Sequence, residues 1–447
     1  MELPMTKRFA ATLIVLLLFA ASNTLAQDWI RTGTGLGVEK IRLAVPDFKV
    51  VANDTGTQDL AATFNTTFWN DLQFAGIFDM VSKSFYPLSI PGAPQDVHLG
   101  DWSVPPPNAN MLAFGNVGVQ GGSINVQGWL YDAKNTQSPQ VLGKQYSEEA
   151  SNANARVIAH RFADEIIFRL GGGIAGIAET KIYYVSNRSG SKEIWQMDYD
   201  GANPKQLTHT GSIALSPHVS PDGSRVAFSG VTKEGWQIQM YSLELERLVA
   251  FPHFGGDNYS PAWSSDGQSL AFSSSRSGNT EIYSVGAAGG TPRRLTESKA
   301  PDVSPTWNPK TSAQIAWVSG RTGLPQIYTM ASDGTNIVRV TDQGYAVSPS
   351  WSPNGQFLAF AWVRHYGPGE PGASDIYVMD IASKQWVQLT HDGGRNDFPS
   401  WSPDGRHIVF QSSRGGHVQI YSMLADGSEV RPLTAGGENT QPNWSFK

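Results

Sequence analysis

The second half of the chain repeats one arrangement of apolar and polar positions six times. Each copy has a proline, an apolar residue two positions later, usually tryptophan, and then a polar turn that often reads Asp-Gly. Successive prolines are 44, 44, 44, 50 and 43 residues apart, at Pro217, Pro261, Pro305, Pro349, Pro399 and Pro442. A period of about 40–50 residues built from short strands and turns is typical of a β-propeller with one blade per repeat.

The order of the strand patterns and proline phrases along the chain predicts how the ring closes. The first repeat has its Ile194-Trp195 strand but no proline phrase before it, and the last phrase, 441–446, has no repeat after it. We therefore expect residues 179–447 to form an all-β six-bladed propeller whose C-terminal strand completes the first blade. Such closure leaves no long unpaired edge. The extra residues of the fifth repeat, 365–373, are interpreted as a loop insertion.

The first half of the chain mixes strand and helix patterns. Residues 41–48, 78–84, 111–119 and 123–133 read as strands, and Gly121-Gly122 is a hairpin signal between the last two. Two apolar stripes with a helical period predict helices. The first stripe is Leu60, Phe64, Phe68 and Leu72, and the second, within about 153–170, is Val157, Ile158, Phe162, Ile166 and Leu170. Two helices on a small sheet predict an α+β domain, which we assign to residues 27–178.

The N-terminus resembles a secretory signal peptide. Lys7 and Arg8 precede an apolar stretch, 9–21, and Thr24-Leu25-Ala26 forms a cleavage site before Gln27. The alternative is a membrane anchor, but about 13 apolar residues fall short of the roughly 20 needed to span a bilayer. We assign residues 1–26 to the signal peptide and expect 27 to about 40, rich in Gly and Thr, to be a mobile segment.

Composition narrows the possible partners and the compartment. The formal net charge is −6 and no run of basic residues occurs, so we expect no nucleic-acid partner. No segment after the N-terminal apolar stretch is apolar enough to be transmembrane, so we expect no direct membrane insertion. The chain contains no Cys, which excludes disulfides, thiolate metal sites and a lipid on an N-terminal Cys. An exported chain without thiols fits the bacterial periplasm.

Motifs for catalysis are missing from the sequence. No G-x-S-x-G elbow and no H-E-x-x-H pair occurs, and we therefore expect no catalytic residues, no metal site and no cofactor. A weaker alternative is a cation held by Asp257, Asp302 and Asp397 at one mouth of the propeller channel; a solvated acidic rim is the simpler interpretation.

Two further residue types recur once per repeat and favour a structural role. Tryptophans should pack between neighbouring blades, at Trp263, Trp307, Trp351, Trp401 and Trp444. Arginines in S-x-R-x-G-like turns should be hydrogen-bond donors within the fold, with anion binding as the alternative, at Arg188, Arg276, Arg321 and Arg414.

Taken in order, a signal peptide, a small α+β domain and six proline-phrase blades resemble the TolB family, the periplasmic components of Tol–Pal systems. The repeats alone are less specific, because related blades occur in prolyl peptidases and other proteins. The N-terminal domain carries the specific likeness: residues 41–46 (IRLAVP), 71–78 (DLQFAGIF), 160–165 (HRFADE) and 181–185 (KIYYV) are similar to the family's stretches at those places.

The resemblance implies a monomeric, non-enzymatic adaptor with two protein partners. Family members bind the peptidoglycan-associated lipoprotein Pal through a propeller face and contact the inner-membrane protein TolA through the mature N-terminal segment. They maintain outer-membrane integrity and constrict the outer membrane at division. The alternatives are a secreted propeller hydrolase or lyase, and a sugar-binding propeller that uses exposed aromatic residues.

The candidate partner-binding residues lie in two places, the loops before the proline phrases and the N-terminal segment. The loops before each proline phrase should share one face, which makes these the Pal-facing candidates: Asp257, Asn258, Tyr259, Asp302, Val303, Tyr345, Asn396, Asp397, Asn439 and Thr440. Trp29, Ile30, Arg31 and Thr32 are the TolA candidates, because an exposed aromatic-aliphatic pair can add a strand to a partner's sheet edge. A plain tether or an intramolecular strand remains the alternative for this segment.

Overall fold

A computed structural model of the chain describes residues 29–51, 54–363, 372–391 and 393–446. The predicted signal peptide and most of the predicted insertion at 365–373 lie outside these residues. The described residues form two compact units: one is Val38–Glu179, and the other joins residues 29–37 with those that follow Glu179. Within the described ranges, no helix is long and apolar enough to cross a membrane.

The Val38–Glu179 unit is the α+β domain expected from the sequence. Its sheet has the order β3-β1-β4-β5-β6, with β2 beside β4. The strands are β1 (Ile41–Ala44), β2 (Lys49–Val50), β3 (Phe78–Met80), β4 (Met111–Gln120), β5 (Ser123–Asp132) and β6 (Gln140–Glu149). The helices are α1 (Thr55–Phe74), α2 (Leu99–Ser103) and α3 (Asn152–Leu170), with short 3-10 turns at Lys83–Phe85 and Pro94–Asp96.

Helices α1 and α3 cover one side of this sheet through their predicted apolar stripes. Phe64 and Phe68 of α1 stack on each other at 5.5 Å between ring centroids, and Phe68 stacks on Phe162 of α3 at 5.1 Å. Each helix begins with a side-chain cap: Asp54 accepts from Thr57 N, and Ser151 from Asn154 N. Local capping and a shared aromatic core therefore place both helices.

The second unit is a ring of six four-stranded antiparallel blades. The second to sixth blades run β10 to β29 in chain order, four strands to a blade. They are β10 (Ala214–Val219), β11 (Arg225–Thr232), β12 (Gly235–Ser242), β13 (Arg247–Val249); β14 (Asn258–Trp263), β15 (Ser269–Ser274), β16 (Glu281–Gly286), β17 (Gly289–Arg294); β18 (Asp302–Trp307), β19 (Gln314–Ser319), β20 (Gln326–Ala331), β21 (Val338–Arg339); β22 (Tyr345–Trp351), β23 (Phe357–Val363), β24 (Ser374–Asp380), β25 (Trp386–Gln388); β26 (Asn396–Trp401), β27 (His407–Gly415), β28 (His417–Leu424) and β29 (Arg431–Pro432).

The first blade joins the two ends of the repeat region. It contains β30 (Asn439–Trp444), β7 (Lys181–Ser186), β8 (Glu193–Asp198) and β9 (Lys205–Gln206), in that order. Strand β30 pairs antiparallel with β7, with Asn439 opposite Ser186 and Trp444 opposite Ile182. This pairing agrees with the closure expected from the order of the repeat marks.

The recurring tryptophans connect one blade to the next. The indole Nε1 of Trp263 donates to the carbonyl of His218 at 3.1 Å, and that of Trp307 donates to the carbonyl of Ala262 at 3.2 Å. Trp401 donates in the same way to Ser350 O, one blade earlier. The predicted packing between blades is confirmed, and these three indoles also satisfy a backbone carbonyl of the preceding blade.

Candidate partner-binding site

The ten Pal-facing candidates lie together at one end of the ring, which we call the loop face. It is the end at which the innermost strands β10, β14, β18, β22, β26 and β30 begin. Asn258, Asp302, Tyr345, Asn396 and Asn439 are the first residues of five of these strands, and the others adjoin them. The opposite end, at which Asp-Gly turns join the strands, is called the turn face.

Most of these candidates are covered. Asn258, Asp302, Asn396 and Asn439 have no exposed surface, and Asp397 is 6% exposed. Tyr259, Val303, Tyr345 and Thr440 are half-buried, and Asp257 is exposed. A partner lying on this face can therefore reach the half-buried group and Asp257, whereas the buried residues act through the loops that they hold.

Buried residues at the strand starts are bound by the recurring arginines. Arg321 donates to Asp302 Oδ2 at 2.8 Å, and Arg414 donates to Asn396 Oδ1 at 3.1 Å. Arg188 makes the equivalent bond to Asn439. The same arginines stack over aromatic rings of the neighbouring strand, as Arg321 does over Tyr328 at 4.9 Å. Their predicted structural role is confirmed in these blades.

The three carboxylates considered for a cation are engaged separately. Asp302 pairs with Arg321, Asp257 accepts from Trp236 N, and Asp397 accepts from the Ser348 hydroxyl at 2.7 Å. Burial raises the pKa of both Asp302 and Asp397. Within the described residues, no three His, Cys, Asp or Glu side chains come close enough to hold a metal ion.

The central channel is lined by the proline phrases themselves. The residue before each proline adopts a positive φ of 51–55°, which nothing in the sequence pattern predicts, at Ser216, Ser260, Ser304, Ser348, Phe398 and Gln441. With the prolines and the residues after them, these enclose a cavity of about 130 Å³. His218 also lines it, and burial lowers its pKa to about 4, so the imidazole is neutral at physiological pH.

The N-terminal segment, residues 29–37, differs from the expected mobile terminus. Residues 29–34 are helical, and the segment packs on the propeller between the fifth and sixth blades. Ile30 has no exposed surface, and the Trp29 ring lies 5.3 Å from that of Phe357. Packing on the ring removes the apolar surface of Trp29 and Ile30 from water, and this burial favours the docked position of the segment.

Charged and backbone contacts add to this docking. Arg31 Nε lies 3.5 Å from Asp426 Oδ2, and Asn354 Nδ2 donates to Gly33 O at 3.5 Å. Arg31 and Thr32 face solvent. Of the four TolA candidates, the structure therefore leaves these two accessible, covers Ile30 and half-covers Trp29.

Comparison with known families supports the relation seen in the sequence. A sequence model of the TolB beta propeller domain matches residues 169–366 and 341–447, and one of the TolB amino-terminal domain matches residues 34–138. Together these matches span both structural units. The chain belongs to the TolB family.

Relatives in the TolB family match over nearly the whole length. The Tol-Pal system protein TolB of Bordetella pertussis is 30% identical over 443 residues, which are 98% of this chain and 96% of that protein. A TolB homolog of Chlorobium luteolum is 31% identical over 376 residues, 84% and 83% of the two chains. The crystal structure of TolB from Acinetobacter baumannii superimposes with a TM-score of 0.76 at 24% identity, covering 91% of this chain and 97% of that one, and so has the same fold.

Proposed function

We propose that this member of the TolB family is a periplasmic, non-enzymatic adaptor of a Tol–Pal system. It binds Pal through the loop face and TolA through the N-terminal segment, and thereby serves outer-membrane integrity and constriction at division. The observation that carries the proposal is the match of both units, nearly end to end, to proteins named for the Tol-Pal system.

The exposed and half-buried residues of the loop face suit a protein partner. Tyr259 and Tyr345 present aromatic surface at the strand starts, and Asp257 adds a solvated charge. Aromatic anchors surrounded by polar residues are typical of the energetic centre of an interface. An interface of standard size, about 1,200–2,000 Å² in total, would cover several blades of such a ring.

Titration calorimetry with a folded Pal domain tests the loop face. Tyr345→Ala should weaken binding at least about tenfold, because truncating an aromatic anchor typically costs more than about 1.4 kcal/mol. Asp257→Asn, which keeps the acceptor for Trp236 N, should weaken binding a few-fold at low salt. Asp333→Asn on the turn face is the control and should change nothing. Equal affinity for all three variants would exclude the loop face.

Binding of TolA requires the N-terminal segment to leave the propeller, because Ile30 is covered when docked. A variant that loosens docking without altering residues 29–32 should therefore bind TolA more tightly. Gly33→Val is such a variant, since a Cβ at Gly33 would lie 2.3 Å from Phe357 Cζ. Ile30→Asp should abolish binding in either background. Weaker TolA binding by Gly33→Val would show that the docked form is the one recognised.

A further inference from the structure

A second groove on the turn face is equivalent to the one that holds the N-terminal segment. It lies between the second and third blades, three blades away around the ring, and has a volume of about 640 Å³. Its lining includes Pro221, Trp263 and Ala287. Their counterparts between the fifth and sixth blades are Pro353, Trp401 and Ala425, by position in the repeat.

The backbone around the two grooves is alike. A Cβ placed on Gly267 would lie 3.8 Å from Pro221 Cδ, and one on Gly405 would lie 3.7 Å from Pro353 Cδ. Backbone bonds match as well: Ala287 N donates to Gln268 O, and Ala425 N to Arg406 O, both at 2.8 Å. The two grooves are therefore formed by the same backbone positions of the repeat.

The second to sixth blades each begin with a complete proline phrase and form four junctions. At the two junctions of the fourth blade, with the third and with the fifth, side chains of the ring itself fill the space between the blades. The fourth blade has a longer turn after its proline phrase, and Ser312 from this turn bonds Ser265 N at 2.9 Å. On the other side of the same blade, a Cβ on Gly355 would lie 2.5 Å from Asn308 Oδ1. Only the junctions of the second with the third and of the fifth with the sixth blade keep the open form among these four described junctions.

The lining of the open groove differs from that of the occupied groove at five positions. Arg225 replaces Phe357, Ala288 replaces Asp426, Asp222 replaces Asn354, Ser224 replaces Gln356 and Gln268 replaces Arg406. Arg225 and Ala288 are exposed, and the Arg225 guanidinium makes no ion pair with any described residue. The N-terminal segment of the chain places Trp29 on Phe357, Arg31 beside Asp426 and the Gly33 carbonyl on Asn354 Nδ2, so it loses all three contacts in the open groove.

We propose that the groove between the second and third blades binds a short segment of a partner protein with an acidic, an aliphatic and a small apolar residue in succession. The acidic residue takes the place of Trp29 and meets Arg225. The aliphatic residue takes the place of Ile30 over Trp263 and Ala287, and the small apolar residue faces Ala288 in the place of Arg31. Because contacts that favour one occupant penalise the other, the two grooves select different segments. This groove contains none of the residues proposed above to bind Pal or TolA.

Synthetic peptides and the full chain test the proposal by fluorescence anisotropy. The first labelled peptide copies residues 27–40 with the changes Trp29→Asp and Arg31→Ala; the second keeps the natural sequence. The changed peptide should bind, and Arg225→Glu should weaken it at least about tenfold, the effect of losing about 1.4 kcal/mol. Ala288→Trp, which fills the groove, should also prevent binding. Asp333→Asn, on the turn face but outside both grooves, is the control and should leave binding unchanged.

Thermal unfolding of each variant verifies that the ring is intact. Two groove variants with different chemistry, Arg225→Glu and Ala288→Trp, are compared so that misfolding of one of them does not decide the test. Absence of saturation at about 1 mM peptide would overturn the proposal, since such weak affinity leaves less than about 4 kcal/mol for recognition. Binding that survives both Arg225→Glu and Ala288→Trp would also overturn it. Equal, Arg225-dependent binding of the natural peptide would instead identify the segment of a second copy as the occupant.

Discussion

Asp164 on α3 is a carboxyl group whose burial couples folding to pH. Burial, with smaller effects of Asp71 and Glu179, raises its pKa from 3.8 to about 7, although Ala178 N donates to it at 3.2 Å. The folded unit therefore keeps a proton that the unfolded chain releases near pH 3.8. The contribution of Asp164 to the free energy of unfolding is therefore fully present below pH 3.8 and is lost as pH rises through about 7.

Asp164→Asn should remove this dependence. The full pKa shift corresponds to roughly 4 kcal/mol, but Asp164 is only half-buried and keeps part of its hydration, so at pH 7.5 the variant should be more stable than the natural chain by about 2 kcal/mol. The difference should shrink toward pH 4. Denaturant unfolding at pH 4 and 7.5 measures it, with Asp59→Asn, an exposed change on α1, as control. A gain independent of pH would show that the proton is not the cause.

Arg321 and Arg276 occupy equivalent turns but make different contacts. Arg321 pairs with the buried Asp302, whereas Arg276 stacks over Tyr283 at 5.6 Å. Arg321→Ala should cost about 3 kcal/mol of unfolding free energy, because it leaves a buried carboxylate without its cation. Arg276→Ala should cost less than about 1 kcal/mol. Similar losses for both, in denaturant unfolding of the propeller, would contradict this account of the ion pair.

Among the elements, the N-terminal segment is the one that can leave its place without breaking the ring. Gly33→Val should release it, because the added methyl groups overlap Phe357. Hydrogen exchange of amides 30–37 should become faster while exchange in β23 and β26 stays slow. Thr32→Val, an exposed neighbour, should leave exchange unchanged. Unaltered protection in Gly33→Val would mean that the segment is held by other contacts.

For the whole molecule, the decisive element is the closing strand β30. Trp444 is 2% exposed and donates to Thr180 Oγ1 at 2.8 Å, and Asn443 accepts from Val219 N of the second blade. Stopping the chain after Gly437 should lower the free energy of unfolding by more than about 5 kcal/mol, because a fully buried indole and a whole row of strand bonds are lost. Stopping it after Phe446 is the control. Calorimetry that shows the same sharp transition for both chains would mean that the ring does not depend on closure.

Much of the fold could be predicted because its signals are local. The spacing of the proline phrases determines the number of blades, and the four-residue spacing from Leu60 to Leu72 determines a helix, whatever surrounds them. Strand β6 was not predicted from the sequence. It lies at the sheet edge, its residues alternate between exposed and half-buried, and no continuous apolar run marks it.

The candidate site shows where local signals end. The sequence by itself determined that the loops before the prolines share a face, since a repeated unit returns the chain to the same end of the ring. Only the tertiary structure decided that Asp302 and Asn396 are buried under arginines, that Ile30 is docked and that one groove is open. Burial and docking depend on contacts between residues tens to hundreds of positions apart. The residue types along the chain do not by themselves reveal which of these distant residues come into contact.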